Sequence, residues 1–304
     1  MIKKTILIEN KSSITTKNLQ LVLKSETRES SIPIEDIGFL VLDHPEIYLS
    51  IPAMNLMVEN NTAVIICGNN HLPNGMLLNL NSHHIQQEIF KNQIDASIPL
   101  KKQLWQQTIV EKIKNQGQLL EKLTTNKNTF EFLARKVLSG DTSNMEGVAA
   151  QQYWKFFPMP NLEKDGLKRE RYGDYPNNFL NYGYAILRAA TARALSGSGL
   201  LNTLGIHHKS KYNAFALADD IMEPYRPIVD EKVFDIMQRH SEQELNTVIK
   251  AEILQILTQT VYFKEEKSPL MVALQKTASS LQQCFTGDRK KIKYPKLWNL
   301  MDTE

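Results

Sequence analysis

The sequence predicts an α+β protein of two domains, a small and mainly β domain at residues 1–84 and a larger all-α domain at residues 85–304. A chain of 304 residues is about twice the usual size of one domain, which favours two separate cores. Near residue 84 the period of the apolar residues changes from about two to about 3.6. Residues 1–90 carry 6 Lys/Arg against 9 Asp/Glu, whereas residues 91–304 carry 30 against 24. The second part is therefore the basic one, and a polyanion would bind mainly there.

Strands and turns dominate the first part. Ser50 and Pro52 mark a helix start, because Ser caps a helix and Pro fits its first turn. A β-branched run at 63–66 predicts a strand that ends at Gly68, and residues 69–75 predict a loop or hairpin. Three further strands are predicted from short apolar runs, at 5–8, 19–23 and 37–42.

The second part shows the spacing and the punctuation of helices. Gly197 and Gly199 end one helix, and Pro224 and Pro227 bracket a turn. Residues 101–128, rich in Gln and Lys, predict solvated helices. The predicted helices lie at about 100–123, 129–139, 144–157, 177–196, 212–223, 228–240, 243–262 and 268–284.

Composition excludes several classes of protein. The chain is 42% apolar and 23% charged, as in ordinary globular proteins. No apolar run approaches the roughly 20 residues of a membrane span. The apolar stretch within the first residues, MIKKTILIENKSS, is too short for a secretory signal. Cys67 and Cys284 are far apart and without a CxxC neighbour, so neither a disulfide framework nor a thiolate metal site is indicated. We expect a cytoplasmic protein with no membrane partner.

Glu146 is the first residue of chemical interest. It falls in the first turn of a predicted helix, where the helix dipole favours a carboxylate, so its ordinary interpretation is a capping residue. The small residues that follow it, Gly147, Ala149 and Ala150, would let another helix or a ligand approach closely. A surface helix has no need of such residues.

In the segment LADDIMEPYRP, Asp220 and Glu223 are three residues apart. A helix places both carboxylates on one face, while Asp219 points about 100° away. Like charges one turn apart repel unless a cation lies near them. A salt bridge from Arg226 to Asp220 would relieve this repulsion, and so would a metal ion.

His207 and His208 follow Gly205 in a predicted loop just before that helix. A histidine in such a loop is more often a packed or surface residue than a ligand. Oxygen ligands together with one imidazole, however, suit Mg²⁺ or Mn²⁺ better than a structural zinc. With Glu146 and Glu223, the histidines make metal-dependent chemistry on phosphate the first hypothesis.

Four segments in this order, NMEGVAAQQYW, NYGYAILRAATARAL, GIHH and LADDIMEPYRP, resemble the CRISPR-associated integrase and endonuclease family, specifically its type II branch. The resemblance runs over nearly the whole chain. It is most specific over residues 144–230 and much weaker over the first 90. For the fold, it implies a β-rich N-terminal domain that forms a dimer and a helical catalytic domain.

For the site, the resemblance implies a divalent metal, Mg²⁺ or Mn²⁺, held by the catalytic residues Glu146, His208 and Glu223. These residues match the family positions that supply the metal ligands. Some branches of the family have Asp at the position of Glu223, which preserves an oxygen ligand. Three neighbours are expected to support the ligands: Asp220, His207 and Tyr182. His207 is also the reserve for the histidine ligand, and the ordinary alternative for Tyr182 is a place in the core.

A DNA surface would have to be basic and partly aromatic. For each basic residue the ordinary alternative is a solvated charge or an internal salt bridge, and for Arg193 that alternative is favoured. The basic tail at 284–295 resembles a segment typical of the type II branch, and we assign it to contact with the DNA backbone or a partner. The expected DNA contacts are Lys209, Lys211, Arg188, Lys168, Arg169 and Arg171.

The function that the resemblance implies is spacer integration, in which a DNA 3′-hydroxyl attacks a repeat phosphodiester with the help of the metal. The implied partners are double-stranded DNA, a second copy of the chain, the small adaptation subunit and, in the type II branch, the effector nuclease. One alternative is a DNA-binding scaffold that has lost its chemistry, against which stand the three occupied ligand positions. Another is a metal phosphoesterase acting on small molecules, which the basic helical domain and the lack of a Gly-rich phosphate loop disfavour.

Overall fold

A computed structural model describes residues 3–79, 83–124, 129–159, 167, 169–170, 173–264 and 266–298. The chain divides into two compact units, Met1–His84 and Ile85–Glu304. The first unit consists of strands with one α-helix, and the second is mainly helical. The predicted α+β fold class is confirmed.

The N-terminal unit contains two four-stranded sheets. In one sheet the order is β1-β5-β7-β8, with only β8 antiparallel, and in the other it is β4-β3-β2-β6, with β6 parallel to β2. The described strands are β1 (Lys4–Ile8), β2 (Ser12–Lys17), β3 (Gln20–Ser25), β4 (Glu29–Pro33), β5 (Ile37–Leu42), β6 (Ile47–Leu49), β7 (Ala63–Cys67) and β8 (Pro73–Leu77).

Helix α1 (Ile51–Glu59) shares one core with both sheets. Ser50 caps it by accepting a hydrogen bond from the amide of Ala53 at 3.3 Å. Every residue of the central strand β5, IGFLVL, is buried, as expected for a parallel strand covered on both faces. The core also includes Ile14 from the other sheet and Met57 from the helix.

The predicted strands at 5–8, 19–23, 37–42 and 63–66 and the helix start at Ser50 are confirmed. Sequence reasoning missed β2, β4 and β6, which are short or rich in Ser and Thr. Within the predicted loop at 69–75, β8 begins at Pro73 and pairs with β7 as a hairpin.

The C-terminal unit is built on nine described α-helices. Between α7 and α8 the three residues Glu223–Tyr225 form a 3₁₀ turn. The bounds are α2 (Gln86–Ile94), α3 (Ile98–Leu123), α4 (Phe130–Arg135), α5 (Met145–Phe156), α6 (Asn177–Gly197), α7 (Ala216–Met222), α8 (Arg226–Arg239), α9 (Thr247–Leu254) and α10 (Leu270–Thr286). Among the residues described, no helix is both long and apolar enough to cross a membrane.

One part of this unit is not helical, which corrects the prediction of an all-α domain. The predicted helix at 243–262 ends as α9 at Leu254. A hairpin of β9 (Thr260–Phe263) and β10 (Glu266–Pro269) follows it. The run TVYF of β9 is β-branched and aromatic, so its residues fit a pleated strand better than a helix. The backbone of Tyr262 also pairs with Lys296 near the end of the described chain.

Helix α3 is the element around which the site is built. Ser97 caps its start and Pro99 occupies the first turn. Against the prediction of solvated helices at 101–128, much of α3 is buried, including polar residues at positions 108, 112, 115 and 116. Asn115 donates a hydrogen bond to the carbonyl of Pro224 at 2.7 Å, which fixes α3 to the 3₁₀ turn.

Helices α6 and α8 cross closely at Gly183. A Cβ atom at that position would lie 2.4 Å from Cγ1 of Val229, so only glycine permits this approach. Through α8 and the turn before it, α6 supports the segment that carries Glu223.

Candidate metal centre

Two of the predicted metal ligands meet at one ammonium group. Oε1 of Glu146, in the first turn of α5, lies 2.6 Å from Nζ of Lys112 on α3. Oε2 of Glu223, in the turn after α7, lies 2.6 Å from the same nitrogen atom. The two carboxylate oxygens are therefore no farther apart than twice that distance, although their residues are far apart in the sequence.

The electrostatics of this cluster favour the charged forms of Glu223 and Lys112. Burial raises the pKa of Glu223, but the charges of Arg226 and Lys112 lower it more, and the result is about 2. Burial lowers the pKa of Lys112, but the carboxylates of Glu223 and Glu146 more than offset this effect, so the pKa lies above its usual value. A buried cation is thus held between two carboxylates.

Arg226 contacts Glu223 from the other side. Its Nε donates a hydrogen bond to Oε1 of Glu223 at 2.8 Å. The suggested salt bridge from Arg226 to Asp220 is therefore wrong, because the arginine is used by the other carboxylate. The remaining oxygen of Glu223 contacts the Lys112 ammonium but makes no hydrogen bond of normal geometry within the described residues.

Asp220 is fully buried and organises the histidine loop. Oδ2 of Asp220 accepts hydrogen bonds from the amides of Ile206 at 2.7 Å and His207 at 2.9 Å. Oδ1 accepts one from the amide of His208 at 3.2 Å and also contacts Nδ1 of its imidazole. The contact with Nδ1 leaves Nε2 of His208 as the nitrogen able to bind a metal.

The same contact affects the charge of the imidazole. The hydrogen bond to Asp220 raises the pKa of His208 above its ordinary value. The charge of His208 in turn helps to lower the pKa of Glu223. The imidazole and this carboxylate are therefore electrostatic neighbours.

Gly205 allows the loop to close around Asp220. A Cβ atom there would lie 2.6 Å from the carbonyl oxygen of His208 and 2.7 Å from Oδ2 of Asp220. The first of these atoms belongs to the backbone, and the second belongs to a buried carboxylate held by two amides. Any larger residue would therefore displace the loop or the carboxylate.

Glu146 does not cap its helix, which is the ordinary function that its position suggested. The exposed amides at the start of α5 are satisfied by Asp141, whose carboxylate accepts from Met145 at 2.9 Å and from Glu146 at 3.0 Å. The carboxylate of Glu146 is left to contact Lys112. Asp141 therefore caps the helix, and Glu146 belongs to the carboxylate cluster.

The ligand types present fit a hard divalent cation, because carboxylate oxygens and one imidazole are donors that Mg²⁺ and Mn²⁺ accept. Within the part of the chain that the structure describes, no three His, Cys, Asp or Glu side chains are grouped so that they could hold a metal ion. Lys112 stands between the two carboxylates instead. The donor types therefore fit a divalent cation. The two carboxylates can share such an ion only if the Lys112 ammonium moves away.

The other two expected supporting residues differ in their surroundings. The ring of His207 stacks on Trp105 of α3, with the ring centroids 4.1 Å apart and the planes 2° from parallel. It thereby anchors the loop to the helix. Tyr182 is fully buried within α6, and its supporting role stays a prediction.

A further buried carboxylate lies in the same unit, outside this cluster. Asp230 of α8 accepts hydrogen bonds from the hydroxyl groups of Tyr153, at 2.8 Å, and Tyr184. Burial raises the pKa of Asp230 to about 6, although both hydrogen bonds act in the opposite direction. This residue belongs to the packing of α5, α6 and α8.

The residues expected to contact DNA fall into different groups. Lys209 and Lys211 are exposed and line a hollow of about 540 Å³ together with His208. Arg188 instead forms an ion pair with Asp219 at 2.6 Å. Lys168 and Arg171 lie outside the described residues.

Arg169 uses its donors within the protein. One of its terminal nitrogens donates to Oδ1 of Asn177 and the other to Oδ1 of Asn181, the latter at 3.0 Å. Its guanidinium carbon is 5.2 Å from the ring centroid of Tyr184. The guanidinium of Arg169 is therefore engaged by other residues of the protein and is not an exposed contact for DNA.

Lys112 is the residue of the cluster that sequence reasoning missed. A signal was present, since it lies in the run from Leu104 to Leu120 in which most residues are buried. A lysine inside such a run requires a buried partner of opposite charge. The Gln and Lys content of the segment concealed this pattern.

Comparisons with known proteins agree with the architecture. The family profile described as CRISPR associated protein Cas1 matches residues 5–265. A relative named CRISPR-associated endonuclease Cas1, from Neisseria meningitidis serogroup C (strain 8013), is 31% identical over 307 residues, which are 98% of either chain.

Three solved structures share the fold. A casposase bound to integration product has a TM-score of 0.79 at 20% identity, covering 96% of this chain and 93% of that one. A Cas6-RT-Cas1–Cas2 complex has a TM-score of 0.74 at 20% identity, and the match covers 98% of this chain and 36% of that one. A complex of a Cas1 protein with DNA gives 0.55 at 14% identity, covering 94% and 90%. Together with the profile match and the Neisseria relative, these likenesses show that the chain belongs to the Cas1 family of CRISPR-associated proteins.

Proposed function

We propose that this chain is the integrase of a CRISPR adaptation complex, which joins a DNA 3′-hydroxyl to a repeat phosphodiester and so inserts a new spacer. One observation carries the proposal. The carboxylates of Glu146 and Glu223, from distant segments, meet at a single cation position near an imidazole that Asp220 orients. Membership of the Cas1 family and the likeness to the Neisseria endonuclease and to the casposase support it.

Glu146, Glu223 and Nε2 of His208 would hold Mg²⁺ or Mn²⁺. The bound ion would stabilise the alkoxide of the attacking 3′-hydroxyl and offset the negative charge that develops on the phosphate oxygens. Three protein ligands leave the positions that water and substrate oxygens need in a hard-cation shell.

The protein residues prepare this site before a metal binds. Arg226 holds one oxygen of Glu223, so that the other oxygen faces Lys112. Lys112 keeps Glu223 charged and holds the two carboxylates close together, although their like charges would otherwise repel each other. Its ammonium has to withdraw when a divalent cation takes its position, and we expect it then to neutralise a phosphate oxygen of the substrate.

The partners proposed are DNA, a second copy of the chain, and the small adaptation subunit, with the effector nuclease of type II systems as a further one. The likeness to the Cas1–DNA complex supports DNA as a partner, and the likeness to the Cas6-RT-Cas1–Cas2 complex supports the small adaptation subunit. Large apolar side chains are exposed on the N-terminal unit, including Leu19, Tyr48 and Ile51. A dimer interface on that unit would cover such residues, and sedimentation of the purified protein tests it.

A strand-joining assay tests the proposal. The purified protein and the small subunit are mixed with a labelled duplex bearing free 3′-hydroxyls and with a plasmid carrying a repeat, with and without Mg²⁺ or Mn²⁺. We expect joining only with metal, and a loss of about 100-fold or more for Glu146→Gln, His208→Ala and Glu223→Gln, because each removes a ligand of the ion that stabilises the transition state.

Glu131→Gln is the control, since it removes an exposed glutamate of α4 that pairs only with Arg135 at 3.7 Å. DNA binding without metal is measured for every variant. If all proteins bind DNA and none joins it under either metal, the scaffold alternative replaces the integrase. Joining by Glu146→Gln at the normal rate would contradict the assignment of that ligand.

A further inference from the structure

An open groove of about 1080 Å³ lies on a different face of α3 from the carboxylate cluster. One wall consists of α3 residues such as Gln107, Glu111 and Lys114. These positions share one face of the helix, from which Lys112 points away. The other walls are the hairpin β9–β10 and the segment from Arg289 to Trp298.

The charges lining the groove are strongly unbalanced. Its two acidic residues, Glu111 and Glu266, each contact a lysine, Lys114 at 3.8 Å and Lys276. Six further cations on the walls have no carboxylate at ion-pair distance within the described residues. They are Lys264, Lys267, Arg289, Lys291, Lys293 and Lys296.

These cations are carried by a fixed backbone, not by a loose tail. Gln107 accepts a hydrogen bond from the amide of Ile292 at 2.9 Å and donates one to the carbonyl of Lys290 at 3.1 Å. The carbonyl of Lys293 accepts from Thr277 at 2.7 Å. Lys296 pairs with the backbone of Tyr262. The backbone positions that carry these charges are thus fixed before any ligand arrives, which lowers the entropic cost of binding.

Two of the four aromatic residues that line the groove, Phe263 and Tyr262, are already covered by cations. Nζ of Lys293 lies 4.8 Å from the ring centroid of Phe263, and Nζ of Lys267 lies 5.4 Å from that of Tyr262. These ring faces are not free to stack on bases. Recognition through charge, independent of base sequence, is what the surface can offer.

The openness of the groove disfavours a small anion as its main ligand. Pockets for small molecules enclose their ligands and hold roughly 300–1000 Å³, whereas this groove is open to solvent and has a volume of about 1080 Å³. Clustered Lys and Arg on one surface indicate a polyanion. A strand that presents many phosphates at regular intervals can contact all three walls.

We propose that this basic groove is a binding site for the phosphodiester backbone of a nucleic-acid strand, separate from the metal centre. The proposal rests on the proposed function only in taking DNA as the strand. In this proposal, the basic tail at 284–295 forms part of a fixed binding surface together with α3 and the β9–β10 hairpin. An acidic protein segment is the competing occupant, and a small phosphate contact could not use six unpaired cations.

The test compares the salt dependence of DNA binding in two charge-matched variants, without metal and with a chelator present. The first carries Lys264→Gln, Lys267→Gln and Lys291→Gln in the groove. The control carries Lys91→Gln, Lys102→Gln and Lys155→Gln, which are exposed in the same unit but outside the groove. Labelled single-stranded and duplex oligonucleotides of one sequence are titrated by fluorescence anisotropy over a range of salt concentrations.

Each lost phosphate contact reduces the slope of log affinity against log salt by about 0.7 to 0.9. We therefore expect the groove variant to lose about 2 to 3 in slope, and about 100-fold in affinity near 0.1 M salt. The control variant should keep the slope of the unmodified protein. Equal slopes for both variants would overturn the proposal.

A further arm uses a polyglutamate peptide of the same formal charge as the oligonucleotide. If the groove substitutions weaken binding of the peptide but not of DNA, the acidic-protein occupant is correct and our proposal is wrong. Strand joining is measured separately at saturating DNA. Normal joining by the groove variant, with normal DNA binding by Glu146→Gln, would show that the groove and the metal centre are separate.

Discussion

The two faces of helix α3 differ in how their charges are balanced. On one face Lys112 is buried and contacts two carboxylates, with Arg226 beside one of them. On the other face, six cations line an open groove and have no carboxylate at ion-pair distance within the described residues. Buried, paired charges fix the positions of atoms, whereas exposed, unpaired charges attract a polyanion from solution. The first surface is therefore suited to chemistry and the second to affinity.

The largest effect is expected from Lys112→Met, which tests how strongly the buried cluster depends on its own cation. The buried carboxylate of Glu223 and the partly buried one of Glu146 would lose their shared partner. The free energy of unfolding without metal should therefore fall by about 3–5 kcal/mol. Mg²⁺ or Mn²⁺ should restore a large part of it by occupying the same position. Urea unfolding with a chelator and with each metal measures both changes.

Lys114→Met is the matched control, two residues along the same helix. Its lysine pairs only with the partly exposed Glu111 at 3.8 Å, so its effect on stability should stay within about 0.5 kcal/mol. Equal losses for the two variants would show that the Lys112 cluster has no special electrostatic role.

Asp230→Asn tests a buried carboxylate whose pKa is shifted in the opposite direction from that of Glu223. Because the pKa of Asp230 rises from 3.8 to about 6 on folding, the folded protein binds the proton more tightly than the unfolded chain. Its contribution to stability is therefore complete below pH 3.8 and is lost as the pH rises through 6. The shift corresponds to about 3 kcal/mol.

Relative to the unmodified protein, Asp230→Asn should gain up to about 3 kcal/mol of stability between pH 4 and pH 7.5. All other titrating groups are common to both proteins, so the difference isolates this residue. Chemical unfolding at several pH values measures it. A difference that does not change with pH would contradict the raised pKa.

Asp220→Asn sharpens the comparison within the metal centre. The substitution weakens the acceptor that orients the imidazole of His208 and holds three amides of the loop. We expect the affinity for Mn²⁺ to fall by about 10–100-fold, as is usual when the partner of a metal-binding histidine is lost. Calorimetric titration measures it, with Asp235→Asn as the control. Unchanged Mn²⁺ affinity would mean that His208 is not a ligand.

The smallest effect is expected from Lys209→Gln, which asks whether DNA also contacts the surface beside His208. One exposed phosphate contact is worth about 0.9 in the salt slope of duplex binding, so the affinity near 0.1 M salt should fall by less than about tenfold. Anisotropy titrations beside Lys155→Gln provide the measurement. No difference between the two would restrict the DNA surface to other residues.

The sequence was most informative about the residues proposed as metal ligands. Glu146 and Glu223 were selected as candidates from their motifs, and the structure brings their carboxylates to one point. Asp220 was expected to support the ligands, and it contacts His208. Such motifs are local in the sequence, so they can be recognised without knowledge of the packing.

Contacts between distant segments could not be predicted in the same way. The pairing of Lys112 with Glu146 and Glu223 depends on where α3 lies relative to α5 and the turn after α7. Similarly, the groove forms only because the segment after Arg289 folds back onto α3 and the β9–β10 hairpin. Short polar strands such as β2 were missed because tertiary pairing, not propensity, stabilises them.

The hydrogen bonds from the histidine loop to Asp220 affect how the loop can move. Three consecutive amides, at residues 206–208, donate to one carboxylate on α7. No single one of them can be released far without moving the others. Their hydrogens should therefore exchange with solvent at similar rates, in one shared opening, and that rate would report how often the imidazole leaves its place.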